Sequence, residues 1–95
     1  MAAYLIAQVG NVTDPAAMRE YAQRVGATIE PFGGKVRVVP GQVDVLEGTW
    51  RPALAIVEFD SVERAQAWYD SDEYRPVKEL RQGAADLDLI IVRGI

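Results

Sequence analysis

Trp68, Tyr69 and Tyr74 fall within seven positions, and Trp50 adds a second indole. Rings with a polar tip can line a pocket for a flat or aromatic ligand, their O–H and N–H groups acting as donors. The competing use, and the commoner one for large aromatics, is to fill a helix–sheet core or the edge of a dimer. Arg81 follows Tyr74 by seven positions and precedes Ala84 by three, so all three share one helical side. Its planar fork suits a carboxylate ligand; the competing use is an ion pair with Glu47, Asp70 or Glu73. With Glu47 included, the candidate ligand-binding set is Trp50, Trp68, Tyr69, Tyr74, Arg81 and Glu47.

A second constellation is Glu58, Arg93 and Tyr4. Strand alternation is read as putting them on one sheet face, and in the usual strand order the first strand lies between the other two. A buried Glu beside a Tyr is a conceivable proton-transfer pair, because burial lifts a carboxylate toward neutrality. A rim ion pair that closes a dimer competes with it and is preferred. Asp44 with Glu47, and Asp70 with Asp72 and Glu73, are oxygen donors of the kind cation sites use, but no calcium-loop spacing is present and they read as solvated surface.

Composition removes whole classes of chemistry. The chain has neither cysteine nor histidine, which excludes disulfides, thiolate or imidazole metal sites, cysteine nucleophiles, histidine bases and histidine-ligated haem. No cofactor is expected, and no nucleophile–base arrangement is visible. A net charge of −4, with positive side chains scattered singly, leaves no basic stripe for nucleic acid. The opening run Tyr4-Leu5-Ile6 ends soon after at Gly10-Asn11, too short for a signal peptide or a membrane span, so the expected location is cytoplasmic. At 95 residues, 49% hydrophobic and 25% charged, the chain is expected to fold as one domain over residues 1–95.

The elements that must position these groups are legible from periodicity. Residues 4–9 are β-rich and stop at Gly10-Asn11. Asp14-Pro15 opens a helix, Asp as cap and Pro in the first turn, whose stripe is Met18, Tyr21, Ala22, Val25 and Ile29. Pro31 and Gly33-Gly34 end it, and residues 35–39 alternate as a half-buried strand. Residues 42–52 read as a strand extension or a hairpin. Residues 53–59 are a nearly unbroken apolar run suited to a central strand. Asp60 or Ser61 caps the next helix, with Val62, Ala65, Trp68 and Tyr69 inward. The stretch from Ser71 to Tyr74 interrupts it before a further helical piece carrying Val77, Leu80 and Ala84, and residues 87–92 form the last strand.

The order β-α-β-β-α-β predicts an α+β, ferredoxin-like domain: a four-stranded antiparallel sheet with both helices on one face. Both alternating sets of the first, third and last strands are apolar, and the helices can cover only one. A second copy packed sheet to sheet is the expected cover, giving a dimeric α/β barrel.

Several local patterns then gain a common meaning. Gly33-Gly34 before a strand, Glu47-Gly48-Thr49-Trp50, Phe59-Asp60-Ser61 leading to Ala65 and Trp68-Tyr69, the stretch Ser71 to Tyr74, Arg81, and the terminal Val92-Arg93-Gly94 together resemble the domain-of-unknown-function 1330 (DUF1330) family, of the dimeric α/β-barrel superfamily. The resemblance implies a ferredoxin-like protomer whose sheet packs on its twin. It implies no single reaction, since similar folds serve quinol monooxygenases, muconolactone isomerases, stress-response proteins and haem enzymes. Three uses follow in order: a homodimer binding a small molecule, aromatic ones included, between sheet and helices; a cofactor-independent monooxygenase- or isomerase-like enzyme; and a structural or regulatory dimer. Whether the chain is an enzyme is left open by the sequence.

Overall fold

The computed structural model describes residues 1–51 and 53–95. Strand β1 (Ala3–Val12) leads into helix α1 (Pro15–Ile29), then β2 (Lys35–Gln42), β3 (Ala53–Phe59), α2 (Val62–Tyr69), α3 (Arg75–Arg81) and β4 (Ala85–Arg93). The strands form one antiparallel sheet in the order β2-β3-β1-β4. The fold is ferredoxin-like, α+β.

Local chemistry sets the boundaries. Asp14 caps α1 by accepting a hydrogen bond from the Ala17 amide at 3.1 Å, with Pro15 in the first turn. Beyond Ile29 a single 3-10 turn over Glu30–Phe32 closes on Gly33, whose φ of 78° is the left-handed conformation that glycine adopts without strain. Ser61, and not Asp60, caps α2 by accepting from the Arg64 amide at 3.1 Å. Ser71 then makes the break before α3: its Oγ donates to the Trp68 carbonyl at 2.7 Å and accepts from the Tyr74 amide at 3.1 Å. These bonds satisfy backbone groups that the end of one helix and the start of the next would leave free.

The strands outrun their sequence signatures. β1 continues through Gly10-Asn11 to Val12, with a register shift against β4 between Val9 and Val12. β2 runs on through Pro40-Gly41, with two register shifts against β3. Proline is tolerated there because β2 is an edge strand with one side free of pairing. Residues 43–51 form a loop, not a second hairpin; the expectation for residue 52 lies outside the described residues.

Register sorts the side chains into two faces. On one, Ala3, Leu5, Val57 and Phe59 are buried under the helices with Ile29, Ala65, Trp68 and Val77, and Leu89 and Ile91 pack against them. On the other, Tyr4, Ile6, Leu54, Ile56, Ile90 and Val92 stand in adjacent rows, and Ile90 is 53% exposed. Among the described residues, no helix is long and apolar enough to cross a membrane.

Candidate functional site

The sheet divides the candidate set. Trp68, Tyr69, Tyr74 and Arg81 gather on the helix side; Trp50 and Glu47 belong to the loop that borders the open side, where Leu54 lies.

On the helix side the aromatic rings are interleaved. Trp68 and Tyr74 lie with centroids 4.1 Å apart and planes tilted by 34°. Phe59 backs Trp68 at 5.9 Å, and Tyr69 meets Trp68 and Tyr74 at 6.5 and 6.0 Å. Trp68, Tyr74 and Phe59 are each less than 2% exposed, so the space between helices and sheet is occupied by side chains. The Lys78 ammonium sits over the half-buried Tyr69 ring, 4.4 Å from its centroid, at cation–π range.

Each polar tip in this interior has a partner. The Trp68 indole N–H donates to Thr28 Oγ1 at 3.0 Å, and that hydroxyl donates to the Val25 carbonyl at 2.6 Å. The Tyr74 and Tyr21 hydroxyls are 2.8 Å apart, and Arg81 Nε donates to the Tyr74 hydroxyl at 3.0 Å. Arg81, only 8% exposed, thus leans on two phenols. Among the described residues it forms no ion pair with Glu47, Asp70 or Glu73. The physical reason is placement: Glu47, Asp70 and Glu73 are exposed, whereas Arg81 turns inward along the side of α3 that faces Tyr74.

The electrostatics follow from this packing. Burial lifts the Tyr21 hydroxyl above the ordinary tyrosine value, and the adjacent Tyr74 adds to the lift. Burial alone would push Arg81 down; the hydrogen bond to Tyr74, with a further contribution from Tyr21, more than offsets it, so the guanidinium stays charged. This is a cation in the protein interior held by neutral acceptors.

An apolar-stripe reading of α1 leaves out Tyr21 and Thr28 as hydrogen-bond partners of Tyr74 and Trp68. A signal existed: a tyrosine on a core-facing stripe needs a partner for its hydroxyl.

The second constellation survives in part: Tyr4 and Glu58 share a face, directly opposite one another, but Arg93 does not join them. Register pairs Tyr4 with Glu58 and with Val92, and Ala3 with Arg93. Arg93 therefore lies on the face opposite Tyr4, since neighbours along a strand alternate. Glu58 pairs instead with Arg37 of β2, Nε to Oε1 at 2.9 Å.

On the open side, residues 43–47, Trp50 and Leu54 line a groove of about 290 Å³. Trp50 is 56% exposed and Leu46 93%. Arg51, next along the loop, lies across the sheet to Asp88 of β4 at 3.0 Å and passes over Gly10, where a Cβ would sit 2.7 Å from its Nη1. The missing side chain leaves the passage open. No group of three or more acidic side chains is arranged to hold a metal ion among the described residues.

Comparison with known proteins agrees with this architecture. A protein of unknown function from Rhodopseudomonas palustris is 26% identical, with 99% of this chain and 82% of that one aligned at a TM-score of 0.74. A dimeric ferredoxin-like protein of unknown function from Jannaschia sp. CCS1 aligns over 99% of this chain and 100% of its own at TM-score 0.77 and 10% identity. SnoaB, a cofactor-independent oxygenase from Streptomyces nogalater, aligns over 99% and 93% at TM-score 0.69 and 7% identity, a likeness of fold alone. No curated protein matches the chain. The sequence profile of the domain of unknown function DUF1330 matches residues 2–95, and the chain belongs to that family.

Proposed function

We propose that this DUF1330 member works as a homodimer packed sheet to sheet, binding a small molecule with an apolar or aromatic body. The observation that carries the dimer is the open face of the sheet: Tyr4, Ile6, Leu54, Ile56, Ile90 and Val92 gather around an apolar central row across three strands, with no helix over them, while Glu58, Gln8 and Asp88 share the face beside them. Water contact with such a surface is unfavourable, and a twisted sheet is covered well by a copy of itself. The dimeric Jannaschia protein supports the reading through its shared fold.

The ligand is placed in the groove beneath residues 43–51 and not between helices and sheet, where Trp68, Tyr74 and Phe59 leave no room. Trp50 supplies a flat apolar wall, and Asp44 and Glu47 at the groove disfavour an anionic ligand. An enzyme of the cofactor-independent oxygenase type needs a dry cavity around its substrate. The filled interior favours binding over that reading.

The test is light scattering at micromolar concentration, followed by native mass spectrometry of protein taken directly from cells. The expected result is twice the chain mass, with Ile90→Asp giving the chain mass, and an added small-molecule mass that Trp50→Ala removes. A wild-type monomer would sink the homodimer. An added mass that survives Trp50→Ala would move the ligand elsewhere.

A further inference from the structure

We infer that the groove beneath residues 43–51 is half of a binding site, and that the open sheet face of a second copy supplies its other wall; this rests on the homodimer reading above. Leu54 joins the two regions. It lines the groove, and by register it opposes Gln8 on the open face, in the same strand-wise row as Ile56. Anything that lies on Ile56 and Ile6 therefore extends along the row to Leu54 and roofs the groove.

The loop is built for such a cover. Val45, Leu46 and Trp50 are 47%, 93% and 56% exposed, apolar side chains in one short segment beside an already apolar face. In the single chain the groove, lined by the loop and by Leu54, stands open to water, so a ligand there would keep much of its surface hydrated. Small-molecule sites bury most of the ligand they hold. A second copy is the occupant that the central row argues for, because Ile90, Ile6 and Ile56 run apolar across three strands, with Glu58 in the row on one side and Gln8 and Asp88 in the row on the other. Arg51 bound to Asp88 marks the polar end of this face, next to the same loop.

Ligand binding then depends on dimerisation although the residues lining the groove are all intact in the monomer. The test follows Trp50 emission, taken as the wild-type spectrum minus that of Trp50→Phe, with acrylamide quenching and the neutral dye Nile red as probes. Both are measured on wild type at a concentration where light scattering reads a dimer, and on Ile90→Asp. Circular dichroism checks that the variant is folded, and Val92→Lys replaces it if it is not. Neither Ile90 nor Val92 lines the groove.

The expected result is blue-shifted, poorly quenched Trp50 emission and Nile red enhancement in the dimer, and loss of both in the folded monomer. A dimer whose Trp50 is as open to acrylamide as in the monomer, or a monomer that keeps the dye enhancement, overturns the composite site and leaves the homodimer standing. A wild-type monomer in the scattering step overturns both.

Discussion

Arg81 donates its Nε–H to the hydroxyl of Tyr74 at 3.0 Å, and that hydroxyl lies 2.8 Å from Tyr21's. One phenol oxygen thus joins the C-terminal end of α3 to the middle of α1. Tyr74 itself is fully buried. Its removal is felt by two partners at once.

Tyr74→Phe is expected to destabilise the fold by about 1–3 kcal/mol, because Arg81 Nε and the Tyr21 hydroxyl both lose their partner in a buried setting. Tyr21→Phe leaves Tyr74 still accepting from Arg81, and the cost is expected nearer about 1 kcal/mol. Urea unfolding of the two variants checks the order; equal losses would mean that the bond from Arg81 to Tyr74 adds nothing measurable to stability.

Stability is expected to fall in alkali through Tyr21. Its folded-state pKa is raised above the ordinary 10.0, so as pH climbs past that value the unfolded chain loses the proton while the folded protein keeps it. The unfolded state then binds fewer protons, which lowers unfolding free energy by up to about 1.4 kcal/mol per pH unit for this one group. The contribution is fully present below pH 10 and is lost progressively above it. Denaturant midpoints from pH 8 to 11 should drop more steeply for wild type than for Tyr21→Phe.

The two tryptophans are expected to behave oppositely. Trp68 is 1% exposed and packed between Phe59 and Tyr74, so Trp68→Ala should cost about 3–5 kcal/mol. Trp50 is 56% exposed, and Trp50→Ala should change the intrinsic stability of the protomer by no more than about 0.5 kcal/mol. Guanidinium unfolding of a dimer-breaking background, followed by circular dichroism, separates protomer stability from dimerisation.

Gly34 is a tight point of the core. A Cβ there would meet the Phe59 ring at 2.8 and 3.0 Å and the Ile29 side chain as well. Gly34→Ala is expected to cost about 1–3 kcal/mol through overpacking. At Gly10 the nearest obstacle is the far end of the Arg51 side chain, which can swing away, so Gly10→Ala should be much milder. Thermal unfolding of both variants tests the contrast.

Much of the fold was readable because it rests on local signals. Asp14-Pro15, Gly33, Ser61 and the break at Ser71 act on the backbone beside them, and their capping bonds are the ones their residue types predict. The two-sided apolarity of β1, β3 and β4 announced a face that the helices leave bare. What stayed hidden depended on pairing over distance. Arg93 lies on the face opposite the one that strand alternation suggests, because the face of a strand residue is decided by its cross-strand register, which a slip of one residue inverts. Glu58 found Arg37 because β2 shifts register there and brings that side chain alongside.

The amino-acid sequence by itself determined the element order, the helix caps, the absence of thiol and imidazole chemistry, and the surplus of apolar strand positions, since each is a property of residue type or near-neighbour spacing. Only the tertiary structure decided that the candidate residues separate across the sheet, Trp68, Tyr69, Tyr74 and Arg81 into the packed interior and Trp50 and Glu47 to the groove on the open side. It also decided that Arg81 is met by phenols and not carboxylates. The reason is physical: which side of a sheet a group occupies, and which partner reaches it, is set by packing among segments far apart in the chain, where burial and shape outweigh any preference written in a short stretch of sequence.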